Sequence, residues 1–219
     1  MLRYPCLVLD HDDTVVQSEA TVNYPYFVEF LKEYRPGAHI SLHAYVSGCF
    51  EPGYIEMCRQ RFGFTEEELL IEYNGWKEYI GCHIPDPYPG IDCIIRRQKE
   101  EGGLICVVSQ SARPNILRDY RTHFSLEPDE IFGWDLAPEQ RKPSPYALNA
   151  IMKKYRLSPG QLLVVDDMKP ACHMAKNAGV EIAFAGWGRR DFPEISKEMN
   201  ELCDFSFDST ENLYKFLFD

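Results

Sequence analysis

Two nearly unbroken apolar runs, Leu7-Val8-Leu9 and Leu162-Leu163-Val164-Val165, constrain this chain more than any other feature, because each ends abruptly on carboxylates. A strand covered on both faces has no solvent side to alternate with, so such runs belong to central strands of a parallel sheet. Cys6–Leu9 and Leu162–Val165 are joined by weaker runs at Leu104–Val108, Ile131–Trp134, Glu181–Phe184 and Asp204–Phe207, with helical stretches between them. The alternation predicts an α/β fold, a mainly parallel sheet with helices on both faces and the two acid-tipped strands side by side.

Residues 15–88 interrupt the alternation. They hold aromatic and Glu-rich helical stretches, Tyr24–Tyr34, Gly53–Phe62 and Glu66–Tyr79, and no central-type strand. The expected organisation is a core of residues 1–14 and 89–219 with a small helical domain, 15–88, inserted after the first strand. Pro85-Asp-Pro-Tyr-Pro-Gly90 reads as the hinge back to the core. Tyr24, Tyr26, Phe27, Phe30 and Tyr34 recur near helical spacing and are read as packing between the inserted helices. Thr65-Glu-Glu-Glu68 reads as a capping box, Ser158 as an N-cap ahead of Pro159, and Ser144 as the cap of a helix running through Tyr155.

Lys and Arg number 23 against 34 Asp and Glu, a formal charge of −11, which argues against nonspecific binding to nucleic acid or anionic membranes. The eight cysteines are scattered without CxxC or Cys/His zinc spacing and read as small buried hydrophobes. No charged-then-apolar leader is seen, and no apolar run approaches the roughly twenty residues of a membrane span. A reducing cytoplasm is the expected setting, for a monomer or small homo-oligomer.

The chemistry concentrates in Leu7-Val-Leu-Asp-His-Asp-Asp-Thr14. In extended backbone, residues two apart share a side, so Asp10 and Asp12 can converge while His11 points away. Paired carboxylates can divide two roles, one ionised and attacking, the other exchanging a proton. A second acidic pair, Asp166-Asp167, follows the other apolar strand, and ligands of open α/β sheets bind beyond the carboxyl ends of strands. Hard oxygen donors without thiolate or imidazole suit Mg²⁺. Ser109 ends a third apolar strand on a hydroxyl that, with neighbouring N–H groups, can hold phosphate oxygens, and Lys142 can offset charge on a transferring group. Taken alone, Ser109 reads as a turn residue and Lys142 as a surface lysine; their order along the chain gives them weight.

Asp10-His-Asp-Asp-Thr14, Ser109, Lys142 and Asp166-Asp167, in that order, resemble the four motifs of the haloacid dehalogenase-like superfamily of phosphohydrolases, over nearly the whole chain. Tyr88-Pro-Gly-Ile91, Ala178-Gly179 and Gly186-Trp-Gly188 resemble its phosphoglycolate phosphatase and β-phosphoglucomutase-like branch. The resemblance implies a Rossmann-like core with a C1-type helical cap and hydrolysis of a small phosphorylated metabolite. It implies Asp10 as nucleophile and Asp12 as general acid/base. Ser109, Gln110 and Lys142 would bind the phosphoryl group, with Thr14 supporting the loop. Asp10, the Asp12 carbonyl, Asp166 and Asp167 would hold Mg²⁺. Asp13 stands where many relatives carry glycine, and Gln110 where asparagine is common.

Asp12 argues against dehalogenation, since dehalogenase members lack that acid. A phosphosugar mutase shares all four motifs and stays open, as does a phosphonate-cleaving enzyme using Lys32 or Lys77, or a catalytically silent binding protein on the same fold. Cap groups such as Arg35, Arg59, His39 and His83 read as solvent-facing.

Overall fold

The computed structural model describes residues 2–219. Among them lie β1 (Cys6–Leu9), β2 (Leu104–Val108), β3 (Glu130–Phe132), β4 (Leu162–Asp166), β5 (Glu181–Ala185) and β6 (Phe205–Phe207). They form one sheet in the order β3-β2-β1-β4-β5-β6, with every pair parallel. The two acid-tipped strands are neighbours as expected, Leu7 opposite Leu163 and Leu9 opposite Val165. From β1 the chain steps outward to β2 and β3, then returns to β4 on the other flank. The order therefore reverses at β1, the kind of switch point beside which α/β sheets bind ligands.

The chain divides into two compact units: residues up to Gln17 together with Asp86–Asp219, and Ser18–Pro85. The breaks fall three residues inside the expected 14/15 and 88/89. Val15 and Val16 are fully buried in the core of the first unit, and the Tyr88 N–H donates to the Val15 carbonyl at 2.9 Å.

In the first unit, Leu7, Leu9, Ile105, Val107, Leu163 and Val165 face one side of the sheet. They meet Ile91, Ile94 and Ile95 of α5 (Ile91–Glu100), Ile116 and Tyr120 of α6 (Arg113–Phe124), and Leu213 of the last helix, Thr210–Phe218. Val8, Cys106 and Val164 alternate to the opposite side. The remaining helices are α7 (Tyr146–Tyr155), α8 (Lys169–Ala178) and α9 (Pro193–Leu202); α8 packs on both α7 and α9 and against β4 and β5. Both faces of the sheet are thus covered, which explains its continuous apolar strands.

Edges differ from expectation for local reasons. Strand β3 stops at Phe132 rather than Trp134, because Gly133 lies so close to the Ser111 carbonyl and the Arg113 N–H that a Cβ there would stand 2.7 and 2.9 Å from them. Trp134 then donates its N–H to the Ser111 carbonyl instead of continuing the ladder. Strand β6 begins at Phe205 because Asp204, though its N–H donates to the Ile182 carbonyl at 3.0 Å, accepts the Ile182 N–H with its carboxylate at 2.9 Å in place of a backbone carbonyl. Ser144 does not cap α7: its N–H closes a turn onto the Arg141 carbonyl at 2.8 Å, and the helix starts at Tyr146 after Pro145. Lys142 nevertheless lies in the loop ahead, as anticipated. Ser158 does form a capping box with Gln161, but around a single 3-10 turn, because β4 begins at Leu162.

The second unit holds α1 (Tyr24–Tyr34), α2 (Leu42–Gly48), α3 (Tyr54–Phe62) and α4 (Glu66–Cys82). Helix α2, capped by the Ser41 hydroxyl, has no counterpart in the sequence reading. The α1 aromatics pack between helices: Phe27 lies 5.1 Å from Tyr45, 5.8 Å from Tyr54 and 5.6 Å from Phe62, centroid to centroid. Thr65 and Glu68 complete the capping box that opens α4.

Glu72 of α4 is buried among these aromatics, and burial pushes its carboxyl up from 4.5 to about 7, opposed by the neighbouring Tyr54. The folded chain therefore keeps a proton that the unfolded chain releases, so stability falls as pH rises from about 4.5 to about 7 and levels off above. The drop attributable to Glu72 is on the order of 3 kcal/mol. Glu72→Gln, which stays neutral, should melt above the wild type at about pH 8 and level with it near pH 4.5. Thermal melts at both pH values check this, and equal melting temperatures at the higher pH would contradict it.

Candidate active site

Asp10 leaves β1 with its backbone still in the ladder, its N–H donating to the Val165 carbonyl at 2.9 Å. That bond extends pairing past Leu9 and sets Asp10 beside the end of β4, where Asp166 closes the strand and Asp167 follows. The next residues turn back sharply: the Val15 and Val16 N–H groups both donate to the His11 carbonyl, and the Asp13 N–H donates to the Val16 carbonyl. Asp13 takes a left-handed φ of 51° to make this turn, a conformation aspartate tolerates better than most residues.

The carboxylates of Asp10, Asp166 and Asp167 are buried, and each offers an oxygen within 4.8 Å of the others. Lys142 Nζ lies 2.7 Å from Asp10 Oδ1 and 2.5 Å from Asp166 Oδ2, with only 5% of its side chain exposed. Burial works against the Lys142 ammonium, but Asp10 and Asp166 outweigh it and hold its pKa above the ordinary lysine value. Asp166 also accepts the Met168 N–H at 2.9 Å.

Burial pushes the Asp166 carboxyl up to about 7, opposed first by Lys142, and it pushes Asp167 well above the ordinary carboxylate range, opposed by Arg189. Asp13 is buried as well, and Arg189 pairs with both Asp13 and Asp167. Four buried carboxylates thus face two buried cations. The surplus negative charge and the hard oxygen donors fit a divalent cation of the Mg²⁺ type.

Of the residues singled out by sequence, Asp10, Lys142, Asp166 and Asp167 come together. Thr14 is buried beside them, its Oγ1 3.4 Å from Asp167 Oδ1. Asp12 takes a different environment: half-buried, its carboxylate accepts the hydroxyl of Ser111, and its side chain stands outside the acidic trio. His11 turns away as expected, with Nε2 3.0 Å from Asp119 and its ring 6.1 Å from that of Tyr120. Ser109 is buried at the tip of β2, its Oγ accepting the Ser111 N–H at 3.1 Å, whereas Gln110 is exposed. Ser111 and Arg189 are the polar residues that sequence reasoning missed. Ser111 lies only two positions beyond Ser109, a usable signal; nothing local singles out Arg189.

The family model described as haloacid dehalogenase-like hydrolase matches residues 7–185. Over 110 residues the chain is 44% identical to the phosphoglycolate phosphatase of Vibrio vulnificus strain CMCP6, covering 49% of this chain and 47% of that protein. The chain therefore spans about half the length of the curated relatives it matches. A putative phosphoglycolate phosphatase structure from Lactobacillus plantarum superposes with a TM-score of 0.78 at 21% identity, covering 98% of this chain and 99% of that one. A CbbY structure from Rhodobacter sphaeroides, in complex with xylulose-(1,5)bisphosphate, superposes with a TM-score of 0.69 at 17% identity, covering 96% and 95%. The structural likenesses establish the fold, and the match across residues 7–185 adds the family: the chain belongs to the haloacid dehalogenase-like hydrolases.

Proposed function

We propose that this chain is a phosphatase that hydrolyses a small phosphate monoester through an aspartyl phosphate on Asp10. The observation that carries the reading is the buried meeting of Asp10, Asp166, Asp167 and Lys142 at the carboxyl ends of β1 and β4. The partial match to phosphoglycolate phosphatases favours a small phosphorylated carboxylic acid as substrate. Ser18–Pro85 is assigned as the C1-type cap of the family.

In this reading Asp10 attacks phosphorus with a carboxylate oxygen. Lys142 pins Asp10 Oδ1 and supplies positive charge for the transferring group. Ser109 and Gln110, with neighbouring N–H groups, bind the phosphoryl oxygens. Asp12 gives its proton to the departing oxygen, and the P–O bond to the alcohol breaks as the bond to Asp10 forms. Asp12 then takes a proton from water, which attacks the aspartyl phosphate and releases inorganic phosphate with Asp10 restored. The half-buried setting of Asp12 suits that exchange, and Ser111 orients its carboxylate. Thr14 supports the loop.

Asp10, the Asp12 carbonyl, Asp166 and Asp167 would hold Mg²⁺. The ion, when bound, neutralises charge on the phosphoryl oxygens and lets the carboxylates stay ionised where burial otherwise favours protonation.

Phosphate release from p-nitrophenyl phosphate and from a panel of phosphorylated metabolites should require Mg²⁺, vanish with EDTA and return when the metal is restored. Full turnover in EDTA would contradict the assigned carboxylates. Asp10→Asn should abolish turnover while leaving the fold intact; a phosphorylated form of that variant would place the nucleophile elsewhere. Asp12→Ala should lower turnover by roughly 10²–10⁴-fold, the usual contribution of a positioned acid/base. Wild-type rates in that variant would remove the role.

A further inference from the structure

Arg189 is the second buried cation at the site, and nothing in the proposed mechanism uses it. It closes the short turn Gly186–Gly188, its N–H donating to the Gly186 carbonyl at 3.0 Å. Its own carbonyl accepts the Phe192 N–H at 3.0 Å and the Ser196 hydroxyl at 3.1 Å, so its backbone is held on both sides.

The turn is docked on the loop that follows Asp10. Trp187 Nε1 donates to the Thr14 carbonyl at 3.0 Å. Gly188 approaches so closely that any Cβ there would collide with the Asp13 carbonyl. From this platform the guanidinium reaches two carboxylates with two different nitrogens, Nη1 to Asp13 and Nη2 to Asp167. All three side chains are less than a tenth exposed.

Asp167 needs such a hold. It lies among like charges in a buried site, and Thr14, its other neighbour, stands at a long 3.4 Å. Without a cation held against it, the carboxylate would be free to swing away from Asp10 and Asp166. The Asp13–Arg189 pair adds one negative and one positive charge. It therefore leaves the net charge of the site unchanged while adding a geometric constraint.

We propose that Arg189 is a positioning residue of this site: braced by Asp13, its guanidinium fixes the Asp167 carboxylate toward Asp10 and Asp166, in the arrangement that receives the divalent cation. The inference rests on the proposed metal-dependent reading of the site. Lys142 spans Asp10 and Asp166 from one ammonium, but Arg189 reaches Asp13 and Asp167 from two separate nitrogens, so a lysine at 189 carries the charge and not the reach.

The test titrates the chain with Mn²⁺ by calorimetry, without substrate, beside thermal melts of each metal-free protein. Two variants keep the net charge of the site: Arg189→Lys, and the double variant Asp13→Gly with Arg189→Met. The second removes Asp13 together with Arg189, so that Asp167 alone loses its cation, and puts glycine at a left-handed φ; it keeps the measurement usable should the lysine variant fail to fold. Both folded variants should bind Mn²⁺ at least about tenfold more weakly than the wild type, the usual loss when a partner orienting a metal ligand is removed. Wild-type affinity in the folded variants would overturn the positioning role alone. A wild-type chain that binds no Mn²⁺ would overturn the metal reading beneath it, and this inference with it.

Discussion

Mutual repulsion among buried carboxylates is the constraint around which the larger of the two units is arranged. Asp10 and Asp166 are brought together by the backbone, because the ladder between β1 and β4 continues through the bond from Asp10 to Val165. Their charges oppose that meeting, and in a buried setting the opposition is far stronger than in water. Lys142, touching both, turns the repulsive pair into a bridged one. Removing Lys142 from such a buried set costs more than the set itself contributes, since both carboxylates are then left uncompensated.

The same geometry explains why two carboxylates two positions apart live differently. Asp10 is buried and pinned by a lysine, whereas Asp12 is half-buried and answers to a neutral hydroxyl, that of Ser111. The sharp turn through Asp13 separates them: it ends the strand and sends the chain back toward Val15 and Val16, whose side chains enter the core. A strand end, a tight turn and one lysine therefore suffice to place chemically identical side chains in distinct environments.

What could be read from the sequence follows from how local each determinant is. Strands β1 and β2 and helix α1 carry their limits in their own apolar patterns, and the structure ends them where those patterns end. Strands β3 and β6 lie at the sheet edges, where pairing on one side only leaves side-chain and backbone contacts elsewhere to set the last residue. Gly133 and Asp204 do so here. Helix α2 is short and lacks a clear apolar period, so its Ser41 cap is evident only once the backbone is known. At the site, Asp10, Lys142, Asp166 and Asp167 were legible because acid follows strand and motif order is kept. Arg189 was not, because its partner Asp13 is 176 residues away and no local pattern links them.

Asp13 shows how a departure from a family pattern can have two physical parts. Its backbone demand, a left-handed φ, is one that glycine meets without cost and aspartate meets tolerably. Its charge demand is separate, because a further carboxylate buried beside Asp10, Asp166 and Asp167 would by itself raise the cost of ionising all of them. Backbone tolerance says nothing about that second cost; only a cation can offset it. Arg189 supplies that cation, and Gly188 supplies the close approach that lets it arrive. The residue at 13, the bare backbone at 188 and the guanidinium at 189 therefore act as a set, in which the close approach and the ion pair offset the charge buried at 13.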